Sequence, residues 1–320
     1  MAERQVDLNV ERKYEHVVVV GIDGAGAFIK DADTPYFDRI FKDGAVTYKA
    51  LASRSTISAE CWGSMLLGVA PEIHGLTNGV VGKKPYPTAS HFPSVFRRIR
   101  EVMPDAELGS FCNWNSITYG IVENNLDVAH DTAASDTELT PVIYQYIREK
   151  KPTFLFVQMD SVDGTGHKYG YGTPQYMKRI HEVDMLVNDI YTAICDTGMR
   201  ESALFMVIAD HGGTDDGNGG GIRGGWSDEE RLVTFAAAGK GVQHTEIQEM
   251  NIRDLAAIIL YALGISAPEL DEQRRTSQIP EGIWTDEKIP TYHNISLLQD
   301  TPSRISKTQH TSQEGSTRDF

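Results

Sequence analysis

Three largely apolar runs, each delivered onto acidic residues, constrain this chain more than any other feature. Val17-Val18-Val19-Val20 leads into Gly21-Ile22-Asp23-Gly24, the run 153–159 (TFLFVQM) ends at Asp160-Ser161-Val162-Asp163, and the run 203–209 (ALFMVIA) ends at Asp210-His211-Gly212-Gly213. Runs with little or no polar alternation suit central strands of a parallel sheet that is covered on both faces. Helical spacing lies between and after them. Ile180, Val183, Val187 and Ile190 share one face of 174–194, and Ile252, Leu255, Ile259 and Leu263 align in a segment that Asn251 would cap and Gly264 would end. Segments 92–102 and 138–149 read as two more amphipathic helices. The alternation predicts an α/β fold, a three-layer α/β/α sandwich with a mainly parallel central sheet. Sites in such sheets lie at the carboxyl ends of the strands, where all three runs place Asp.

Within the 320 residues, the working domain is expected over 15–267, after an N-terminal arm (1–14) and before a polar extension (268–320) with a frayed end. The balance of 30 Lys+Arg against 45 Asp+Glu leaves a formal net charge of −15. That charge disfavours nucleic acid, which needs clustered cations, and anionic membrane surfaces. No stretch reaches the ~18 apolar residues of a membrane span, and the first 16 residues contain no apolar region with a cleavage site. Cys61, Cys112 and Cys195 are odd in number and far apart. A reducing, cytoplasmic setting is the expectation.

The glycines at 21, 24 and 26 do not make a dinucleotide fingerprint, because the third glycine position holds Ile29. Asp23 is then a turn residue or a cation ligand. Asp163 and His167, four apart among glycines, can close on one ion. Asp210-His211 can do so only through a turn, which Gly212-Gly213 permits. Singly, each pair has a plain alternative as a capping Asp and a surface His. Jointly, three strand ends carrying Asp, Asp/His and Asp/His favour a divalent metal centre. Residues 55–68 read as a loop entering a helix, so Ser58 is a cap or, beside a metal, a nucleophile.

The order Asp23, Ser55-Thr56-Ile57-Ser58, Pro71-Glu72-Ile73-His74-Gly75, Asp163-x-x-Gly166-His167, Asp210-His211-Gly212 resembles the alkaline phosphatase superfamily. It is most similar to the type I phosphodiesterase/nucleotide pyrophosphatase branch. The resemblance implies Ser58 as nucleophile and two divalent ions, zinc or manganese. One would be held by Asp23, Ser58, Asp210 and His211, the other by Asp163, His167 and a distal His. It further implies hydrolysis of phosphodiester or pyrophosphate bonds of a small-molecule phosphate ester or nucleotide through a phosphoseryl intermediate. A phosphomonoesterase, a phosphomutase or a metal-binding pseudoenzyme are the alternatives.

Two positions depart from the family. The branch carries Asn three residues after the nucleophile; here Cys61 stands there, and a thiol is a weak donor, so Asn113 or Asn115 is expected to donate instead. Arg223 occupies the place of the distal His, with His244 the nearest later histidine. Without a replacement, the second ion loses a ligand and Arg223 is expected to hold a phosphate oxygen. Loops 77–91 and 113–125 would set selectivity, with Trp114 and Tyr119 as packing residues or as platforms for a base.

Overall fold

The computed structural model describes residues 11–265 and 277–284. Its centre is an eight-stranded sheet. In chain order the strands are β1 (His16–Ile22), β2 (Ala45–Leu51), β3 (Leu108–Cys112), β4 (Ala129–Asp131), β5 (Phe154–Met159), β6 (Ala203–Ala209), β9 (Leu232–Ala238) and β10 (Thr245–Glu246). A separate hairpin joins β7 (Thr214–Asp215) to β8 (Gly221–Ile222). The sheet order is β10-β2-β9-β6-β1-β5-β3-β4, and only β9 runs against the rest. The expected mainly parallel sheet is present.

The three apolar runs are its middle: β1 lies between β6 and β5. Every residue of β5 and β6 is buried, as strands covered on both faces must be. The covering helices form two groups. Ser58–Leu67, Val95–Val102 and Asp254–Ala262 pack together, and Pro35–Phe41, Asp136–Lys150, Ser161–Tyr169 and Pro174–Asp196 form the other group.

Helix boundaries follow their caps. Ser94 and Ser135 accept from the amides of Arg97 and Glu138, which starts the second and fifth of these helices later or earlier than periodicity suggests. Asn251 is not a helix cap. Its side chain accepts from Arg253 N (3.1 Å) two residues ahead, while Asp254 takes the Asn251 amide at 2.8 Å, so the helix begins at Asp254. Gly264 ends it at φ +71°, as expected.

The expected arm and extension fall largely outside the described residues. Their described parts pack on the domain: Tyr14 is buried, and Trp284 Nε1 donates to its hydroxyl at 3.1 Å.

Candidate active site

Register brings the acidic strand ends together. Ile22 pairs with Met159 of β5 and Ala209 of β6, so Asp23, Asp160 and Asp210 leave adjacent strands side by side. The helix Ser161–Tyr169 carries Asp163 and His167 on one face, since residues four apart align. Its first amides are held by Asp136, which accepts from Asp160 N (2.9 Å) and Ser161 N (3.0 Å). Gly24, at φ +68°, lets Asp163 approach; a Cβ there would lie 2.5 Å from Asp163 Oδ1.

Ser58 is the first residue of its helix and caps nothing. Its hydroxyl donates to Asp23 Oδ1 (3.3 Å), lies 3.2 Å from His211 Nε2 and accepts from Arg223 Nη2 (3.0 Å). His211 donates Nδ1–H to Gly212 O (2.8 Å) and His167 donates Nδ1–H to Gly221 O (2.9 Å). Each ring therefore turns its Nε2 into the centre, the orientation that metal-ligating histidines take from their outer partners. Asp210 Oδ1 accepts from Gly24 N (2.9 Å) and His211 N (2.8 Å), while its buried Oδ2 has no hydrogen-bond partner.

The charges are strained by burial. Asp23 is held well above the usual carboxylate range by burial and then by Asp163; Asp210 is raised by burial and by Asp23. Burial alone would lift Asp163 too, but hydrogen bonding from His167, with the charges of His211 and Arg223, holds it below that range. Burial pushes His211 down to about 4, so its Nε2 stays unprotonated near neutrality. His167 is raised by its bond to Asp163.

Several separations among these atoms are those of ligands on one tetrahedral ion. Ligands at zinc distances of ~2.0–2.1 Å stand about 3.3 Å apart. Ser58 Oγ to His211 Nε2 is 3.2 Å, Ser58 Oγ to Asp23 Oδ1 3.3 Å, His211 Nε2 to Asp23 Oδ1 3.5 Å and His211 Nε2 to Asp210 Oδ2 3.3 Å. A cation there would give the orphaned Asp210 Oδ2 a partner. Arg223 lies among the members of both expected ligand sets. Its Nε donates to His211 Nε2 (2.8 Å), Nη1 donates to His167 Nε2, and Nη2 stands 3.2 Å from Asp163 Oδ2.

The other expected residues are placed differently. Cys61 is fully buried and burial raises its thiol well above the usual value, so it offers nothing to a ligand. Asn115 is exposed, and Asn113 keeps a buried Nδ2 without a partner; neither side chain bonds to the cluster. His244 adjoins β10 at the far edge of the sheet, lining a separate cavity of about 970 Å³ with Phe28 and Tyr48. It is no substitute for the distal His. Trp114 packs half-buried against the core, and Tyr119 is exposed. His74 is structural: Nδ1 accepts from Leu76 N (3.0 Å), and Nε2 meets Ser64 Oγ at 3.3 Å.

Sequence reading missed the residues that hold the carboxylates. Gln158, fully buried in β5, donates to Asp23 Oδ2 (3.0 Å) and Asp160 Oδ1 (2.9 Å); Trp62 Nε1 donates to Asp23 Oδ2 (3.0 Å) and Tyr171 to Asp163 Oδ1 (2.6 Å). A polar residue inside the run TFLFVQM was the available signal for Gln158. Trp62 and Tyr171 carried none, being indistinguishable from core aromatics.

Comparison with known proteins agrees with this fold. Residues 114–223 match the family described as Type I phosphodiesterase / nucleotide pyrophosphatase. Murine ectonucleotide pyrophosphatase/phosphodiesterase 5, solved as an inactive variant in complex with AMP, superposes with a TM-score of 0.65 at 15% identity, covering 79% of this chain and 96% of that one. The lipoteichoic acid synthase LtaP from Listeria monocytogenes superposes with a TM-score of 0.58 at 14% identity, over 86% of this chain and 76% of that one. A 60-residue segment is 37% identical to GPI ethanolamine phosphate transferase 2 of Aspergillus oryzae, spanning 19% of this chain and only 7% of that protein. Match and fold together make this chain similar to the alkaline phosphatase superfamily, and over residues 114–223 to its type I phosphodiesterase/nucleotide pyrophosphatase branch.

Proposed function

We propose that the protein is a metal-dependent hydrolase of phosphodiester or pyrophosphate bonds in small molecules, nucleotides among them, with Ser58 as nucleophile. One observation carries this reading: Ser58 Oγ, freed from any capping role, sits within 3.3 Å of Asp23, His211 and Arg223 at the carboxyl ends of three parallel strands. A divalent ion on Asp23, Asp210, His211 and Ser58 would lower the hydroxyl's pKa and draw charge from the phosphoryl group. Zinc suits the mixed carboxylate and imidazole donors, and manganese is the second choice.

Ser58 attacks phosphorus, and the leaving oxygen departs on the opposite side. Arg223 donates to the phosphoryl oxygens as charge gathers on them. Water then opens the phosphoseryl ester. Asp23 is kept in place throughout by Trp62 and Gln158, and the two histidines by the carbonyls of Gly212 and Gly221. The AMP bound by the murine relative supports a nucleotide-like substrate.

The test compares bis-para-nitrophenyl phosphate with para-nitrophenyl phosphate under added zinc or manganese. Preference for the diester is expected. Preference for the monoester points to a phosphomonoesterase, and silence with both under every metal to a pseudoenzyme.

A further inference from the structure

Tyr171 lies in the short connection between the helices Ser161–Tyr169 and Pro174–Asp196, and its side chain is buried. Glycines from three parts of the chain make room for its ring. A Cβ on Gly166, in the helix that carries Asp163 and His167, would lie 2.5 Å from a ring carbon. On Gly213, just after Asp210-His211-Gly212, the distance would be 2.3 Å, and on Gly221 of β8 it would be 2.5 Å. Only glycine allows so close an approach. The glycines of the Asp163-x-x-Gly166-His167 and Asp210-His211-Gly212-Gly213 segments thus help to wall one slot.

From that slot Tyr171 reaches two candidate ligands. Its hydroxyl donates to Asp163 Oδ1 at 2.6 Å, and its ring stands edge-on to His167, with centroids 5.9 Å apart at 75°. Gly221 serves both, since its carbonyl also accepts from His167 Nδ1. Asp163 Oδ1 is further closed in by Gly24, where a Cβ would lie 2.5 Å away. The other oxygen, Oδ2, faces His167 Nε2 at 3.4 Å and Arg223 Nη2 at 3.2 Å. With Asp23 and His211, Asp163 forms a cluster whose ligand atoms all lie within 4.8 Å of one another.

We propose that Tyr171 is a positioning residue of the centre. Its hydroxyl commits Asp163 Oδ1 to the protein, so that Oδ2 alone is presented to an ion, and its ring holds His167 beside that oxygen. Core packing does not account for the residue. A Phe would fill the slot equally well, and a buried hydroxyl costs free energy unless a partner takes it. The partner here is a candidate ligand, and bonds of this kind orient ligands before an ion arrives.

The inference rests on the metal-dependent reading above, and two measurements separate their failures. Tyr171→Phe keeps the ring and deletes one bond. In calorimetric titration of chelator-treated protein, its affinity for zinc should fall about 10–100-fold below that of the native chain. Its hydrolysis of bis-para-nitrophenyl phosphate should fall at limiting zinc and return with excess zinc, at an unchanged KM, because Tyr171 touches no substrate. Native zinc affinity in Tyr171→Phe would overturn the inference and leave metal-dependent hydrolysis standing. So would a loss of turnover that excess zinc does not repair, or a raised KM. No zinc uptake by the native chain, with turnover indifferent to chelator, would overturn both.

Discussion

Ser58 opens its helix without accepting any of the helix amides, so its hydroxyl is free for chemistry. Ser58→Ala should lower turnover by at least about 10³-fold, the scale of losing a nucleophile, while thermal unfolding stays within the ~1 kcal/mol that even a lost cap would cost. Activity and melting of the same preparation check this, and a mutant that keeps most of its activity removes Ser58 from the mechanism. Gln158 is the next residue to change. Gln158→Leu keeps the volume but takes one of two donors from Asp23 Oδ2. Metal affinity should fall about 10–100-fold, as for other outer partners of metal ligands, and titration calorimetry reads it directly.

At the scale of elements, the buried hydroxyl of Thr56 makes two of the bonds that anchor the stretch 223–225, beside the Gly225 amide's bond to Glu230. Thr56→Val keeps shape and deletes both bonds; it should cost about 1–3 kcal/mol and raise KM more than it lowers kcat, because Arg223 loses its seat. Asp254 ties two distant elements, accepting from the amides of Asn251 (2.8 Å) and Gln278 (2.9 Å), and burial raises its carboxyl to about 6. A pKa raised on folding makes the stabilising contribution complete below the unfolded value near 4 and lost as pH climbs through about 6, worth about 3 kcal/mol. Urea unfolding should therefore show Asp254→Asn gaining that much on the native chain between about pH 4 and pH 7; a constant difference contradicts it. The elements themselves were unevenly legible. β1, β5 and β6 announce themselves as apolar runs because both faces are buried. β3 (LGSFC) and β9 (LVTFAAA) are short or alanine-rich, and only tertiary pairing makes them strands.

For the whole molecule, parallel register is what converts three distant Asp motifs into one centre, and that much followed from the sequence, since acidic residues ended each central strand. What did not follow was depth. Nothing in residues 219–225 says whether Arg223 reaches the site or solvent, and nothing in the spacing of Cys61 from Ser58 says that its thiol is buried in the core. Both depend on how loops fold back over the strand ends. Among the described residues no helix is long and apolar enough to cross a membrane. The most direct measurement is to acid-quench the metal-loaded protein during turnover of a diester and map covalent adducts by peptide mass spectrometry. A phosphoryl or nucleotidyl mass on the Ser58 peptide, absent from Ser58→Ala, is the expected result. Steady turnover with the adduct on another residue, or with Ser58→Ala as active as the native chain, would contradict it.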